Sequence, residues 1–375
     1  MRSRLFCLAF LPLSLFIGCR TAPKTPEDSP ALQHHKRAYT LFEKGDAPAA
    51  EEEWRTAIGL DPKFAPAYVA LADLYELSGN PARAAEAIAP LRTADPKATH
   101  IECRRADLYF QADGYEIVIL LTAEALRREP DCPRAHLMRG IILSAAGKKD
   151  EALSELRLAH EKVPKEEKFI FPFAQALGEA GKTAEALALV RPLIGTSKAV
   201  TRTRYLLGTL LAHSGKTEDR AEAKKLLEEA LAANKDYAPA QAELGMLLAQ
   251  EKTPGAPLKA RQRMEAALAA GYTSPELAAA LAALLERTKS PDAAAARRLA
   301  REGAAVTERL QKARAHYLDS PEDTDNNLAL AELEAQRGDT PDALALTQQA
   351  LHKDPNNTKA LQLQRTLTSQ QPKTR

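Results

Sequence analysis

Two short motifs in the chain have residue types that bind phosphate groups. Residues 181–183 and 215–217 both read Gly-Lys-Thr, the order in which a P-loop ends. A P-loop also needs a glycine five residues earlier, where this chain has Ala176 and Leu210. The motifs lie 34 residues apart (215−181), which indicates one recurring turn between helices and not the strand-to-helix junction that binds phosphate.

Two histidine motifs have residue types that bind metals. His160 and Glu161 begin like the helix of a zinc protease, but Pro164 stands where the second histidine is needed and ends the helix. His34 and His35 are adjacent, so on a helix they point about 100° apart and cannot both face one ion well. The sequence therefore predicts no catalytic site, no bound metal and no cofactor.

The elements that carry these residues follow a fixed period. Successive intervals between four prolines (96−62, 130−96 and 164−130) are each 34 residues, the prolines being Pro62, Pro96, Pro130 and Pro164. A repeat of this length is typical of helix–turn–helix units, each of which buries its apolar face only by stacking on its neighbours.

The period also contains small residues at fixed places. Counted from Ala31, the first unit has Ala38, Ala50 and Ala57 at places 8, 20 and 27, where small side chains let two helices approach closely. Gly45 at place 15 predicts a left-handed residue that ends the first helix. The second and fourth units repeat the pattern with Ala72, Gly79 and Ala84, and with Gly140, Gly147, Ala152 and Ala159.

This pattern resembles the tetratricopeptide repeat over about residues 31–369. The resemblance implies an all-α, right-handed superhelical solenoid of about nine helix pairs with a C-terminal capping helix. We expect regular repeats over 31–198, degenerate repeats over 199–323, a last repeat and capping helix over 324–369, and a tail over 370–375. Between about 271 and 320 the composition predicts helix without a secure register.

The N-terminus predicts export from the cytoplasm. Arg2 and Arg4 precede an apolar run over residues 5–17 that ends at Gly18 and Cys19, the order of a secretory signal. The run is too short to span a bilayer as a helix. We expect a signal peptide over 1–18, whereas an ordinary secretory signal with a chance cysteine is the alternative.

Residues 16–19, Phe-Ile-Gly-Cys, resemble the processing box of bacterial lipoproteins, with Phe16 in place of the usual leucine. The resemblance implies that Cys19 carries lipid. Because Arg20, and not aspartate, follows the cysteine, it implies an outer-membrane protein facing the periplasm, with a secreted or soluble periplasmic protein as the alternative. Residues 19–30 are polar and proline-rich and predict a flexible tether.

The balance of charged residues argues against one class of partner. With 52 basic and 50 acidic residues the net charge is +2, which argues against a nucleic-acid partner.

Two cysteines are left for a possible disulfide. Cys7 would leave with the signal peptide and Cys19 would carry lipid, so Cys103 and Cys132 remain. In an oxidising compartment these two could form a disulfide, or they could be two buried thiols that pack as small apolar residues.

The resemblance also implies a partner groove, because places 2, 5, 9, 12 and 13 of the family's first helices line its concave face. Here these places carry a row of apolar and aromatic residues, which favours an extended peptide or an amphipathic helix. The alternative is that neighbouring side chains or the superhelix itself cover the row. The predicted groove residues are Tyr39, Phe42, Val69, Leu77, Phe110, Leu137, Ile141, Phe171 and Tyr205.

Together these features predict a non-enzymatic, membrane-anchored scaffold or assembly factor for a cell-envelope complex such as a secretion, pilus or polysaccharide-export apparatus. Its partner would be a protein or peptide segment of that assembly. The alternatives are a non-catalytic recruiting subunit or chaperone of an envelope enzyme complex, and a remnant enzyme with a site that the sequence does not reveal.

The lipid anchor can be tested at one residue. We expect Cys19→Ser to move the protein from the membrane pellet to the soluble fraction, or to leave an unprocessed precursor, because the acyl chains that hold it would be lost. Fractionation followed by immunoblotting measures both outcomes. A variant that is processed normally and stays in the pellet after a high-salt wash would show that lipid is not attached at Cys19.

Overall fold

The computed structural model describes residues 29–95, 98, 100–111, 115–337 and 340–370. The predicted signal peptide, the lipidated Cys19 and most of the tether therefore lie outside the described residues. The chain divides into two compact units, residues 1–108 and 109–375.

The first unit is built from short helices. In chain order they are α1 Pro30–Glu43, α2 Ala47–Leu60, α3 Ala65–Leu77, α4 Pro81–Ile88, α5 Leu91–Ala94 and most of α6 Ile101–Gln111. Capping explains where α1 and α2 begin: the Ser29 side chain accepts a hydrogen bond from the backbone of Leu32, and Asp46 does the same for Ala49.

The second unit continues with helices of similar length and one much longer helix. They are α7 Tyr115–Arg128, α8 Pro133–Ala145, α9 Lys149–Lys162, α10 Glu167–Glu179, α11 Thr183–Val190, α12 Val200–Ala212, α13 Asp219–Ala233, α14 Ala238–Ala249, α15 Ala256–Ala269, α16 Pro275–Arg287, α17 Ala293–Asp319, α18 Thr324–Arg337, α19 Thr340–Lys353 and α20 Thr358–Gln370. A 3₁₀ turn, Arg191–Leu193, follows α11.

The all-α prediction is confirmed, since the described residues contain helices and no β strand. None of these helices, within the described part of the chain, combines the length and apolar character needed to cross a bilayer. Consecutive helices pack as pairs, namely α1/α2, α3/α4, α8/α9, α10/α11, α12/α13, α14/α15, α16/α17 and α18/α19. In chain order α6 and α7 occupy the place of a further pair, and α20 packs against α18 and α19 as the predicted capping helix.

The small residues predicted from the period lie where paired helices meet. Ala38, Ala50 and Ala57 have no solvent-accessible surface, so each lets the facing helix approach closely. Gly140 of α8 serves the same purpose against α9, because a Cβ atom built there would lie 2.5 Å from Cγ of Leu156.

The turns between paired helices also follow the prediction. Gly181 and Gly215 have φ angles of +75° and +77°, a left-handed conformation that glycine adopts without steric cost. Gly181 lies between α10 and α11, and Gly215 lies between α12 and α13. Both Gly-Lys-Thr motifs are therefore inter-helix turns.

The segment without a secure register contains the main departure from the repeat. The helix pair in this segment consists of α16, which has an ordinary length, and the 27-residue α17. The first half of α17 pairs with α16, whereas Leu310, Ala313 and Tyr317 of its second half are buried against α18, α19 and α20. A run of strong helix formers without proline explains why the helix does not stop after three turns.

The second half of α17 also reaches the turn between α8 and α9. A Cβ atom built on Gly147 would lie 3.6 Å from the Gln311 side chain. The Lys148 ammonium forms an ion pair with the Asp319 carboxylate, and this hydrogen bond raises the pKa of Lys148. These contacts join segments 171 residues apart in sequence.

Two glycine substitutions test the close approach of paired helices. Gly140→Ala should destabilise the protein by about 1–3 kcal/mol, because the new methyl group overlaps Leu156 in a packed core. Gly59→Ala is the matched control: nothing lies within 4 Å of its new methyl group, and it should stabilise α2 by up to about 1 kcal/mol. Thermal and urea unfolding measure both. A similar shift for the two variants would contradict the packing described here.

Candidate functional site

The predicted groove residues of the first unit lie at its surface. Leu77 is 74% exposed and Tyr39 is 44% exposed, while Phe42 and Val69 are half-buried. Tyr39 and Phe42 pack against the buried ring of Trp54, with centroid distances of 5.4 and 6.1 Å. These rings are therefore held in place by the core while part of their surface faces solvent.

The adjacent histidines of α1 have separate structural contacts. His34 Nδ1 lies 2.6 Å from Oε2 of Glu53. His35 packs edge-on against the rings of Tyr39 and Phe64, and burial lowers its pKa, which favours the neutral imidazole.

The predicted groove residues of the second unit are more buried than Leu77 and Tyr39 of the first unit. Leu137, Ile141 and Tyr205 are half-buried and pack beside the main hydrophobic core, and Phe110 is half-buried near the end of α6. Phe171 corrects the prediction: it is only 3% exposed and is not available to a partner. The guanidinium group of Arg202, from α12, lies 4.9 Å from the centroid of its ring and helps to cover it.

Cys103 and Cys132 are both buried. Cys103 belongs to the first unit and Cys132 to the second, and their pairing stays a prediction.

Sequence reasoning missed a polar site around Tyr205. We define the tyrosine–glutamate cluster as Tyr205, Tyr237, Glu243 and Tyr272, with His213 and Glu276 at its edge. Tyr205 and Tyr237 meet edge-on at 5.4 Å between ring centroids. The tyrosines recur at intervals of 32 and 35 residues (237−205 and 272−237), close to the repeat length, and this spacing was a signal in the sequence.

The electrostatics of this cluster centre on a buried carboxylate. Glu243 of α14 is 6% exposed, and its Oε1 lies 3.2 Å from Nε2 of the exposed His213, the residue that follows α12. Burial raises the pKa of Glu243; His213 opposes the shift and Glu276 adds to it. Burial also raises the pKa of Tyr205, with Tyr272 and Glu243 adding to the effect. A cation beside Glu243 would relieve the unfavourable burial of its charge.

A separate apolar cleft lies between α16, α17 and the end of α8. Its volume is about 590 Å³, and its walls include Leu268, Leu281, Leu299 and Val306. Leu299 is 64% exposed, so the cleft can accept an apolar group without prior rearrangement of this side chain.

Comparisons with known proteins agree with the prediction of tetratricopeptide repeats in part of the chain. Two family models described as tetratricopeptide repeat match residues 41–102 and 103–167. The cellulose synthase operon protein C of Pseudomonas fluorescens (strain SBW25) is 31% identical over 128 residues, which is 34% of this chain and 10% of that protein. This chain thus spans about a tenth of the length of the curated relative it matches.

Two solved structures are similar at low identity. A tetratricopeptide repeat protein from Parabacteroides merdae ATCC 43184 is 18% identical with a TM-score of 0.49, covering 68% of this chain and 98% of that one. The pilF protein of Pseudomonas aeruginosa is 16% identical with a TM-score of 0.46, covering 56% and 95%.

Residues 41–167 therefore carry tetratricopeptide repeats. Proteins built from stacked helical repeats generally serve as non-catalytic scaffolds that bind protein or peptide partners along extended surfaces.

The residue before the predicted groove residue Leu137 is His136, whose contacts should depend on pH. His136 is buried in α8, with Nδ1 2.6 Å from Oε2 of Glu155 and Nε2 2.7 Å from the carbonyl oxygen of Pro130. The hydrogen bond to Glu155 raises the pKa of His136 despite the opposing effect of burial. A raised folded-state pKa means that the protonated histidine stabilises the fold.

This stabilisation should depend on pH. It is complete below the unfolded-state pKa of about 6.5 and is lost as pH rises through the higher folded-state pKa. We expect the Tm difference between the wild type and His136→Gln to be largest near pH 5.5 and to shrink by pH 8.5. Melting curves across this range measure the difference, and a constant value would show that His136 is not protonated in the folded state.

Proposed function

We propose that the protein is a membrane-anchored scaffold or assembly factor for a cell-envelope complex. It holds a protein or peptide segment of that complex against the exposed residues of its first helices. The observation that carries the proposal is the exposure of Leu77 and Tyr39 at groove places of two successive repeats. A leucine that is three-quarters exposed is not needed for the fold and offers apolar surface to a partner.

The proposed location rests on the N-terminal sequence. Lipid on Cys19 would anchor the chain to the outer membrane, and the polar residues up to about 30 would hold the repeats away from the bilayer in the periplasm. Polysaccharide export is one assembly that fits, because a relative of part of this chain is named for a cellulose synthase operon. Secretion and pilus assemblies remain within the same proposal.

Two exposed leucines give a matched test of the proposed surface. Leu77→Glu should leave Tm unchanged and weaken partner capture, because a charge would replace an apolar contact at a cost on the order of 2 kcal/mol. Leu60→Glu is the control: Leu60 is 53% exposed at the end of α2, outside the groove places. Capture from detergent-solubilised membranes, quantified by mass spectrometry, compares the two variants with the wild type.

The comparison separates the outcomes. Loss of capture by Leu77→Glu alone supports the groove of the first unit. Equal capture by both variants and the wild type would contradict a partner surface at Leu77 and would direct the search to the cleft beside Leu299.

A further inference from the structure

Three consecutive first helices contribute to the tyrosine–glutamate cluster. Tyr205 belongs to α12 and His213 directly follows this helix, Glu243 belongs to α14 and Glu276 belongs to α16, while Tyr237 and Tyr272 lie in the turns that precede α14 and α16. These are the helices on which the family places its partner groove, and Tyr205 occupies a predicted groove place. The cluster is thus positioned to contact a bound segment.

The carboxylate at the centre of the cluster lacks a permanent counter-ion. Among the described residues, the ion-pair partner of Glu243 is the exposed side chain of His213, which is charged only when it is protonated. Its other charged neighbour, Glu276, has the same sign. A buried carboxylate without a cation is unfavourable by several kcal/mol in general, so the site favours any cation that can reach it.

The surrounding rings strengthen this preference. Tyr237 and Tyr272 are half-buried, so each presents part of its ring surface, and the negative face of a tyrosine ring attracts ammonium and guanidinium groups. The guanidinium group of Arg202, from α12, is directed to the ring of Phe171. Its charge acts on Tyr237 and is absent from the groups that act on Glu243.

We propose that the tyrosine–glutamate cluster binds a lysine or arginine side chain of the protein segment held by the second unit. Glu243 forms the ion pair with this side chain, Glu276 adds to the attraction, and the tyrosine rings contact its alkyl stem and its cationic head. His213 moves aside when the ligand binds. This inference rests on the proposed function, because it assumes that the partner is a protein or peptide.

A pair of peptides isolates the charge of the ligand. Acetyl-Leu-Arg-Leu-amide and the same peptide with citrulline have nearly the same shape, but only arginine is positively charged. We expect the wild-type protein at pH 8 and low salt to bind the arginine peptide about tenfold more tightly than the citrulline peptide. Titration followed by the NMR signals of the tyrosine rings measures both affinities and locates the site.

Variants of the acidic residues test the roles within the cluster. Glu243→Gln should bring the affinity ratio close to one. Glu276→Gln changes an exposed residue and should lower the ratio about two- to threefold without affecting folding. The matched control is Glu265→Gln on α15, an exposed glutamate that pairs with Arg261, and it should keep the wild-type ratio.

The pH dependence gives an independent readout. Binding of the arginine peptide to the wild type should weaken as pH falls from 8 to 5.5, because burial raises the pKa of Glu243 and a protonated carboxyl group no longer attracts the guanidinium group. Glu243→Gln should show little change over this range. The inference is overturned if the two peptides bind the wild type equally, if neither binds, or if Glu243→Gln keeps the wild-type ratio. None of these results bears on the Leu77 surface, so the proposed function is tested separately.

Discussion

The close approach of two helices at small side chains is the contact on which this protein depends. Ala38, Ala50 and Ala57 are fully buried in the first pair, and Gly140 leaves room for Leu156 in a later pair. Within a unit, a pair commonly contacts the next through its second helix and the first helix that follows, as α13 contacts α14. Since most contacts join neighbouring helices, stability accumulates largely from pair to pair, and the contacts of α17 with the turn between α8 and α9 are a long-range exception.

This arrangement leaves some side chains of the first helices available for other uses. Leu77 is largely exposed because its packing role is taken by neighbours such as Leu71 and Leu74, which are buried. In the second unit, the first helices α12, α14 and α16 contribute to a polar network around Glu243. A buried carboxylate is costly for a scaffold that needs only stability, and this cost is the basis for proposing that the cluster serves recognition.

The long helix α17 shows how one change in local sequence alters tertiary contacts. The second helix of a pair commonly ends after about four helical turns. α15, for example, ends at Ala269, and the left-handed Gly271 follows it. α17 continues to Asp319 and brings Gln311 and Asp319 to the turn between α8 and α9. The apolar cleft beside Leu299 exists because the first half of this helix packs on one side only.

The sequence by itself determined the helical class, the 34-residue period, the alanines at helix contacts and the glycine turns, because each depends on neighbours within one repeat. It also predicts groove positions for Tyr39, Leu77 and Tyr205, which stay a prediction. Only the tertiary structure decided that Arg202 covers Phe171, that α17 runs on for 27 residues, and that Glu243 is buried beside His213. The burial of a side chain depends on which residue the adjacent helix presents to it, and a repeat pattern specifies the spacing of helices but not that residue.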